Sequence, residues 1–265
     1  MDKLKSDKLK IYSLASSSSG NAFIFIHEDK IILIDCGISF TQLKNKLFDL
    51  GYDTNDITDI FITHEHEDHI GGLRLISRKT CATIHMPKNV FENLKNRKDV
   101  ICEERTYEFF KPNDSFVMAN IKITPIELSH DCIQCVGFVF ELPLERVLFV
   151  TDTGYIPKHV YDYVENIDYA IVESNYDMDM LMNGDYAYSI KVRNASNIGH
   201  LSNDQAGEFC KILAQNGLKK VLLAHISKNN NTEELAIQTV AKYLNDFKDI
   251  QIMTAKDKET IGFIT

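Results

Sequence analysis

The chain has 265 residues, with 29 Lys and Arg against 38 Asp and Glu, and a formal charge of −9. That length buries a full-sized core. The charge excludes attraction to nucleic acid over the whole surface but leaves a local positive site open, since bound cations escape a sequence count. No run approaches the ~18 consecutive apolar residues of a membrane span, and the charged start MDKLKSDKLK has no signal-type apolar stretch behind it, so a cytoplasmic protein with no membrane partner is expected.

Strands are expected first at Lys10–Leu14, Ala22–His27 and Lys30–Asp35, the first two joined by the small-residue stretch LASSSSGNAF. A helix over Thr41–Leu50, a strand over Asp59–Thr63, a helix over Gly71–Ser77, a strand over Thr83–Met86 and a helix over Lys88–Lys95 follow. Strands at Asn120–Ile126, Val136–Leu142 and Arg146–Thr151 lead to a helix over Pro157–Asn166 and a strand over Tyr169–Glu173. In LSNDQAGEFCKILAQNG, Ser202 or Asn203 caps, Phe209, Ile212 and Leu213 recur at helical spacing, and Gly217 closes, which predicts a helix over Asn203–Asn216. A strand at Lys220–Ala224, a helix over Thr232–Phe247 and strands at Ile250–Met253 and Thr260–Ile264 complete the chain. The strands are rich in β-branched residues and bounded by Gly, Asn and Asp. Strand-rich blocks alternate with helices and several strands are apolar throughout, which predicts an α/β fold of stacked sheets covered by helices, one domain over residues 1–265.

Six cysteines are scattered along the chain. Cys132-x-x-Cys135 has the spacing of half a zinc site or a redox pair. No second such pair completes a zinc site, and in a reducing compartment these residues read as small buried apolar side chains.

The densest chemistry lies in THEHEDHIGG, which starts at Thr63, directly after an apolar strand. His64 and His66 are two apart, so an extended segment points both the same way. Asp68 and His69 lie beyond a turn, with a helix expected to begin near Ile70–Gly71. Imidazoles with a carboxylate suit zinc, manganese or iron. His27 and His85, at strand ends, and His159, on an expected surface helix, have no motif around them and read as solvated or packed side chains.

H-x-H-x-D-H after a strand resembles the signature of the metallo-β-lactamase fold superfamily. The resemblance implies a four-layer αβ/βα sandwich with a metal centre at one edge of the paired sheets. Later ligands are expected at strand ends, and ELSHD, LFVTDTG and VLLAHIS supply His130, Asp152 and His225 in that order. It implies two divalent ions: His64, His66 and His130 on one, Asp68, His69 and His225 on the other, and Asp152 bridging. A carboxylate has two oxygens and holds two cations about 3.5–4 Å apart. Asp35, in IILIDCG, fits the same pattern as an acceptor for a ligand histidine N–H.

The superfamily hosts many reactions. Asp152 at the bridging position disfavours the lactam hydrolases that carry cysteine there. Only 40 residues follow His225 and 72 separate it from Asp152, so neither an added C-terminal domain nor an inserted β-CASP domain is expected. Together S-S-S-G-N, T-H-E-H-x-D-H, S-H-D, T-D-T-G, G-H-L-S-N and L-A-H-I-S resemble the YycJ/WalJ branch. That resemblance implies an exonuclease that digests DNA from the 5′ end and is associated with DNA repair and cell-wall regulation. In the mechanism it implies, a metal-activated water attacks the phosphodiester and His200 protonates the leaving oxygen. The catalytic set is then His200, Asp68 and Glu173. Glu173 orients His200 unless it is simply a strand-end acid. Lys191 and Arg193 either contact phosphates or decorate a solvated loop, and Tyr186 and Tyr188 either stack on bases or pack. The Ser17–Asn21 loop, with Ser18 and Asn21, either binds phosphate or is a plain hairpin turn. The alternatives are another hydrolase of the fold, acting on RNA, cyclic nucleotides, thioesters or lactones, and a non-catalytic partner in a cell-wall or repair assembly.

Overall fold

The computed structural model describes residues 8–257 and 259–264. The charged opening, residues 1–7, read above as no signal segment, lies outside the described residues. The chain divides into two compact units, residues 1–110 with 255–265 and residues 111–254, each built on one seven-stranded mixed sheet.

In the first unit, β1 (Lys10–Ser17), β2 (Gly20–His27) and β3 (Lys30–Ile34) form an antiparallel meander. Helix α1 (Phe40–Asp49) then crosses to β4 (Asp59–Phe61), which pairs parallel with β3. Two short helices, α2 (Glu67–Ile70) and α3 (Leu73–Lys79), lead to β5 (Thr83–Pro87), and α4 (Lys88–Leu94) leads to β6 (Tyr107–Phe110), both strands extending the parallel half. The last strand, β14 (Ile261–Ile264), closes the other edge against β1. The sheet order is β14-β1-β2-β3-β4-β5-β6. All eight residues of β2 are buried, so both faces of the strand lie out of water. Ile24, Ile26, Leu33, Ile60 and Ile84 form a core with Leu43 and Leu47 of α1 and with Leu73 and Ile76 of α3.

The second unit runs antiparallel through β7 (Phe116–Met118), β8 (Ile121–Leu128), β9 (Cys135–Glu141) and β10 (Arg146–Val150), then parallel through β11 (Tyr169–Glu173), β12 (Lys220–Ala224) and β13 (Gln251–Thr254). Its helices are α5 (Met178–Asn183), α6 (Tyr188–Asn194), α7 (Asn203–Gln215) and α8 (Glu233–Tyr243). Helix α7 starts with a reciprocal cap: Ser202 Oγ accepts from the Gln205 N–H, and the Gln205 side chain accepts from the Ser202 N–H. It buries Phe209, Cys210 and Leu213 against Leu148, Val172 and Leu223, the phenylalanine and leucine each worth roughly 1.5–3 kcal/mol as apolar side chains leaving water.

The predicted α/β architecture is therefore present, with three local corrections. The helix expected from Ile70–Gly71 starts at Glu67, because His66 in extended backbone supplies the N-cap and the Gly71 N–H already bonds the Glu67 carbonyl. The helix expected over Pro157–Asn166 is a shorter 3₁₀ segment, Lys158–Tyr163. Strand β1 extends through Ser16 and Ser17, which pair with Asn21 and Gly20, so the hairpin turn is only Ser18–Ser19. Among the described residues no helix is long and apolar enough to cross a membrane. Cys132 and Cys135 are free thiols, and Cys135 is buried at the start of β9.

Candidate metal and proton-transfer site

In both sheets the singled-out residues follow the C-terminal ends of strands, most of them parallel ones. Open α/β sheets present ligand sites there.

In the first unit, Asp35 follows β3 and Thr63 to His69 follow β4. The extended backbone before α2 puts the His64 and His66 rings edge to face at 4.7 Å, and His64 meets His69 at 4.1 Å between ring centroids. The turn is clamped to the segment after β3: the Cys36 N–H donates to His69 O at 2.6 Å and the Gly72 N–H to Cys36 O at 2.7 Å. Gly37 makes this approach possible, since a Cβ there would lie 1.7 Å from Asp68 O. Asp35 is wholly buried. It takes the Thr63 N–H at 2.9 Å, the Thr63 hydroxyl at 2.8 Å and His69 Nδ1 at 2.7 Å. Burial raises its pKa, while His69 and Thr63 pull the other way. With His69 Nδ1–H committed to Asp35, His69 Nε2 carries the lone pair that a cation needs. Asp68 Oδ2 lies 3.4 Å from that nitrogen. Asn21, buried in β2, donates to Asp68 Oδ2 at 3.1 Å and lies 3.0 Å from His69 Nε2, so its side chain addresses the ligand turn. Ser18 is exposed at the hairpin tip.

In the second unit, His130 follows β8, Asp152 follows β10, Glu173 ends β11 and His225 follows β12. His130 Nδ1 donates to Gly199 O at 3.0 Å, which leaves its Nε2 as the lone-pair nitrogen. His225 Nε2 lies 3.3 Å from Asp152 Oδ1. Asp152, Glu173, His200 and His225 each place a ligand-type atom within 4.8 Å of the others. Imidazole nitrogen and carboxylate oxygen, with Nδ1 of His69 and of His130 already engaged elsewhere, fit a divalent cation of the zinc, manganese or iron kind.

Glu173 is fully buried. Its Oε1 accepts from His200 Nδ1 at 2.6 Å, and its Oε2 accepts from the Thr153 N–H at 2.9 Å and the Leu201 N–H at 3.3 Å. Burial, then repulsion from Asp152, pushes its pKa to about 8. The His200 ring lies 5.0 Å from His130 and stacks at 5.1 Å on His225. Its side chain is 14% exposed, and Nδ1 is held by Glu173.

Sequence reasoning missed the polar lattice beneath this cluster. Asn175 Nδ2 donates to His225 O at 2.8 Å, Ser174 Oγ to Asn203 Oδ1 at 2.6 Å, and Asn231 Nδ2 to Ser174 O at 2.9 Å. Ser174, Asn175, Asn203 and Asn231 are all buried. The available signal was VESN, where an all-apolar strand runs straight into polar residues. Two expected substrate contacts are engaged within the protein: Arg193 makes an ion pair with Asp131, and Lys191 Nζ donates to Met182 O at 2.8 Å. Both sit on α6, where a loop was the alternative. That helix buries nothing, and Tyr188 is 78% exposed, so it does not pack. The remaining histidines carry no such cluster: His85 bonds Asp59, His159 donates to Glu127 O, and His27 is buried.

A family model described as the beta-lactamase superfamily domain matches residues 30–226. The chain is 32% identical over 232 residues to the exodeoxyribonuclease WalJ of Streptococcus pneumoniae, covering 87% of this chain and 86% of that protein. It is 29% identical over 233 residues to the exodeoxyribonuclease YycJ of Bacillus anthracis, covering 88% of each. Among solved structures, the metallo-beta-lactamase fold protein YhfI of Bacillus subtilis matches with a TM-score of 0.73 over 97% of this chain and 100% of that one, at 17% identity, a likeness of fold.

Proposed function

This chain belongs to the beta-lactamase superfamily, in its WalJ/YycJ branch, and from that premise we propose that it is a metal-dependent nuclease, an exonuclease that digests DNA from the 5′ end. The residues proposed as ligands for two divalent ions are His64, His66, Asp68, His69, His130, Asp152 and His225, with Asp152 bridging. When bound, such ions act as Lewis acids and lower the pKa of water from ~15.7 toward ~7. The chain's own residues do the rest. Asp35 and Gly199 O hold the His69 and His130 rings with Nε2 outward. Asp68, with a side chain 23% exposed, takes the proton of the attacking water. As the new P–O bond forms and the bond to the departing sugar oxygen breaks, His200 Nε2–H gives that oxygen its proton, and Glu173 steadies the resulting change in ring charge.

The observation that carries this reading is the 2.6 Å bond from His200 Nδ1 to a fully buried carboxylate, beside Asp152 and His225. A histidine there for packing alone needs no buried carboxyl group behind it. The test is digestion of 5′- and 3′-labelled duplex DNA with added manganese, with Asp152→Ala as control. Wild type should release mononucleotides from the 5′ end, while the variant should lose digestion and bound metal together. Intact DNA with the metal-loaded wild type, or full digestion and metal content in the variant, would overturn the proposal.

A further inference from the structure

A second candidate site lies outside the residues used so far. In the first unit a pocket of about 280 Å³ opens between α3 and the segment from Lys98 to Glu104, near the small end of the ~300–1,000 Å³ range of ligand pockets. Arg74 and Arg78 enter it from α3, one helical turn apart and so on one face. Lys98 enters from the facing segment, buried Ile101 and Cys102 form the floor, and Glu103 and Glu104 complete the lining. The floor is fixed by Tyr107, whose hydroxyl bonds both the Cys102 N–H at 3.1 Å and the Cys102 carbonyl at 3.2 Å.

Neighbouring cations are committed within the protein. Arg97 bonds Asp99 at 2.7 Å and reaches Glu67 at 3.4 Å, Lys95 bonds Glu92, and Arg105 donates to Arg78 O. The side chains of Arg74, Arg78 and Lys98 make no hydrogen bond or ion pair among the described residues. Glu103 and Glu104 share the lining and Arg74 also acts on Asp99, so the three cations are offset only in part and the hollow keeps a net positive charge.

We infer that this pocket binds one phosphodiester of the nucleic-acid strand, away from the bond being cleaved. The inference rests on the nuclease reading above. Guanidinium groups grip phosphate oxygens in pairs. Two Glu against three cations leave one net positive charge, which suits a phosphodiester monoanion better than a polyphosphate. The position suits the role: α3 begins four residues after His69, and Arg97 ties the pocket's outer segment to Glu67, between His66 and Asp68. A strand gripped here would be held beside the ligand turn.

The test is fluorescence anisotropy of a labelled, cleavage-resistant phosphorothioate oligonucleotide against the metal-loaded protein across a salt series. The triple variant Arg74→Gln, Arg78→Gln, Lys98→Gln should bind about tenfold more weakly, with the slope of log K against log salt shallower by about 0.7, as for one phosphate released from a single strand. Arg78→Gln alone should lose about threefold, which keeps the inference testable should the triple variant fold poorly. Glu103→Gln with Glu104→Gln should bind more tightly than wild type. Unchanged affinity and slope in the folded cation variants would overturn the pocket alone. Failure of wild type to bind the oligonucleotide would overturn the nuclease reading as well.

Discussion

Glu173→Gln isolates the proton-transfer pair without emptying space. In wild type, Oε2 accepts two backbone N–H groups, from Thr153 and Leu201, and Oε1 accepts from His200 Nδ1 at 2.6 Å. The glutamine carbonyl should keep the two backbone donors, because two N–H groups facing an NH₂ would leave buried donors unmet. The amide NH₂ then faces His200 Nδ1, which must give up its proton and accept. The ring is left as the Nε2–H tautomer with no ionisable carboxyl group to support its charged form. General acid catalysis is worth about 10²–10⁴-fold. Since Nε2 still carries a proton, the loss should sit at the low end, about 10²-fold in kcat on DNA, or ~2.7 kcal/mol at ~1.36 kcal/mol per tenfold. The assay compares kcat on labelled duplex DNA with kcat on a nitrophenyl phosphodiester, whose leaving group needs no proton and should lose less than about threefold. Metal content by elemental analysis should match wild type. An equal fall on both substrates, or a wild-type rate on DNA, would refute the assignment of His200 as the acid and Glu173 as its support.

Gly37→Ala should disturb the ligand turn from outside it. The new methyl would meet Asp68 O at 1.7 Å and the Asn21 N–H at 2.4 Å, both backbone atoms that cannot swing aside. Metal content and activity should fall together while the core of the second unit, read by exchange protection of its amides, stays intact. The pH dependence of the metal-free protein has a definite sign. Glu173 holds its proton to about pH 8 in the fold, whereas its unfolded value is near 4.5. Between those values the unfolded chain has lost a proton that the folded chain keeps, so stability is fullest below the unfolded pKa and declines as pH rises through 8. Thermal melts of chelator-treated protein should therefore fall from roughly pH 5.5 to roughly pH 8.5. In Glu173→Gln that gradient should flatten; an unchanged gradient would assign it to other groups.

What the sequence discloses follows from where side chains go. Strands such as Tyr169–Glu173 and Lys220–Ala224 have buried apolar interiors, AIV and VLLA, and match the expected bounds to the residue. Tyr107–Phe110 and Phe116–Met118 escaped notice because they are short edge strands, each exposing residues that an interior strand would bury. Helix α6 escaped for the opposite reason to α7: it buries no residue, so it has no apolar stripe to detect. The ligand residues were legible because their types are chemically narrow and their spacing dense. Asn175, Asn203 and Asn231 were not, because an asparagine bonding a distant carbonyl looks in sequence like any cap or turn residue.

The backbone supplies a further reason to treat these residues as a working site. Among the described residues seven non-glycine positions have positive φ, and three of them are Asp35 (62°), Asp152 (59°) and His225 (54°). Asp35 and His225 follow directly, and Asp152 one residue later, on a strand of a parallel pair, where the chain leaves the sheet. Left-handed backbone at such residues costs of order 1–3 kcal/mol apiece, and glycine would adopt it freely. Glycine would relieve that cost at these three positions at the expense of the side chain. Here the positions carry the carboxylate that orients His69, the carboxylate beside His225, and His225 itself. The side chains matter more than the strain, which is the pattern of a site kept for its chemistry and hard to reconcile with a purely structural role for this fold.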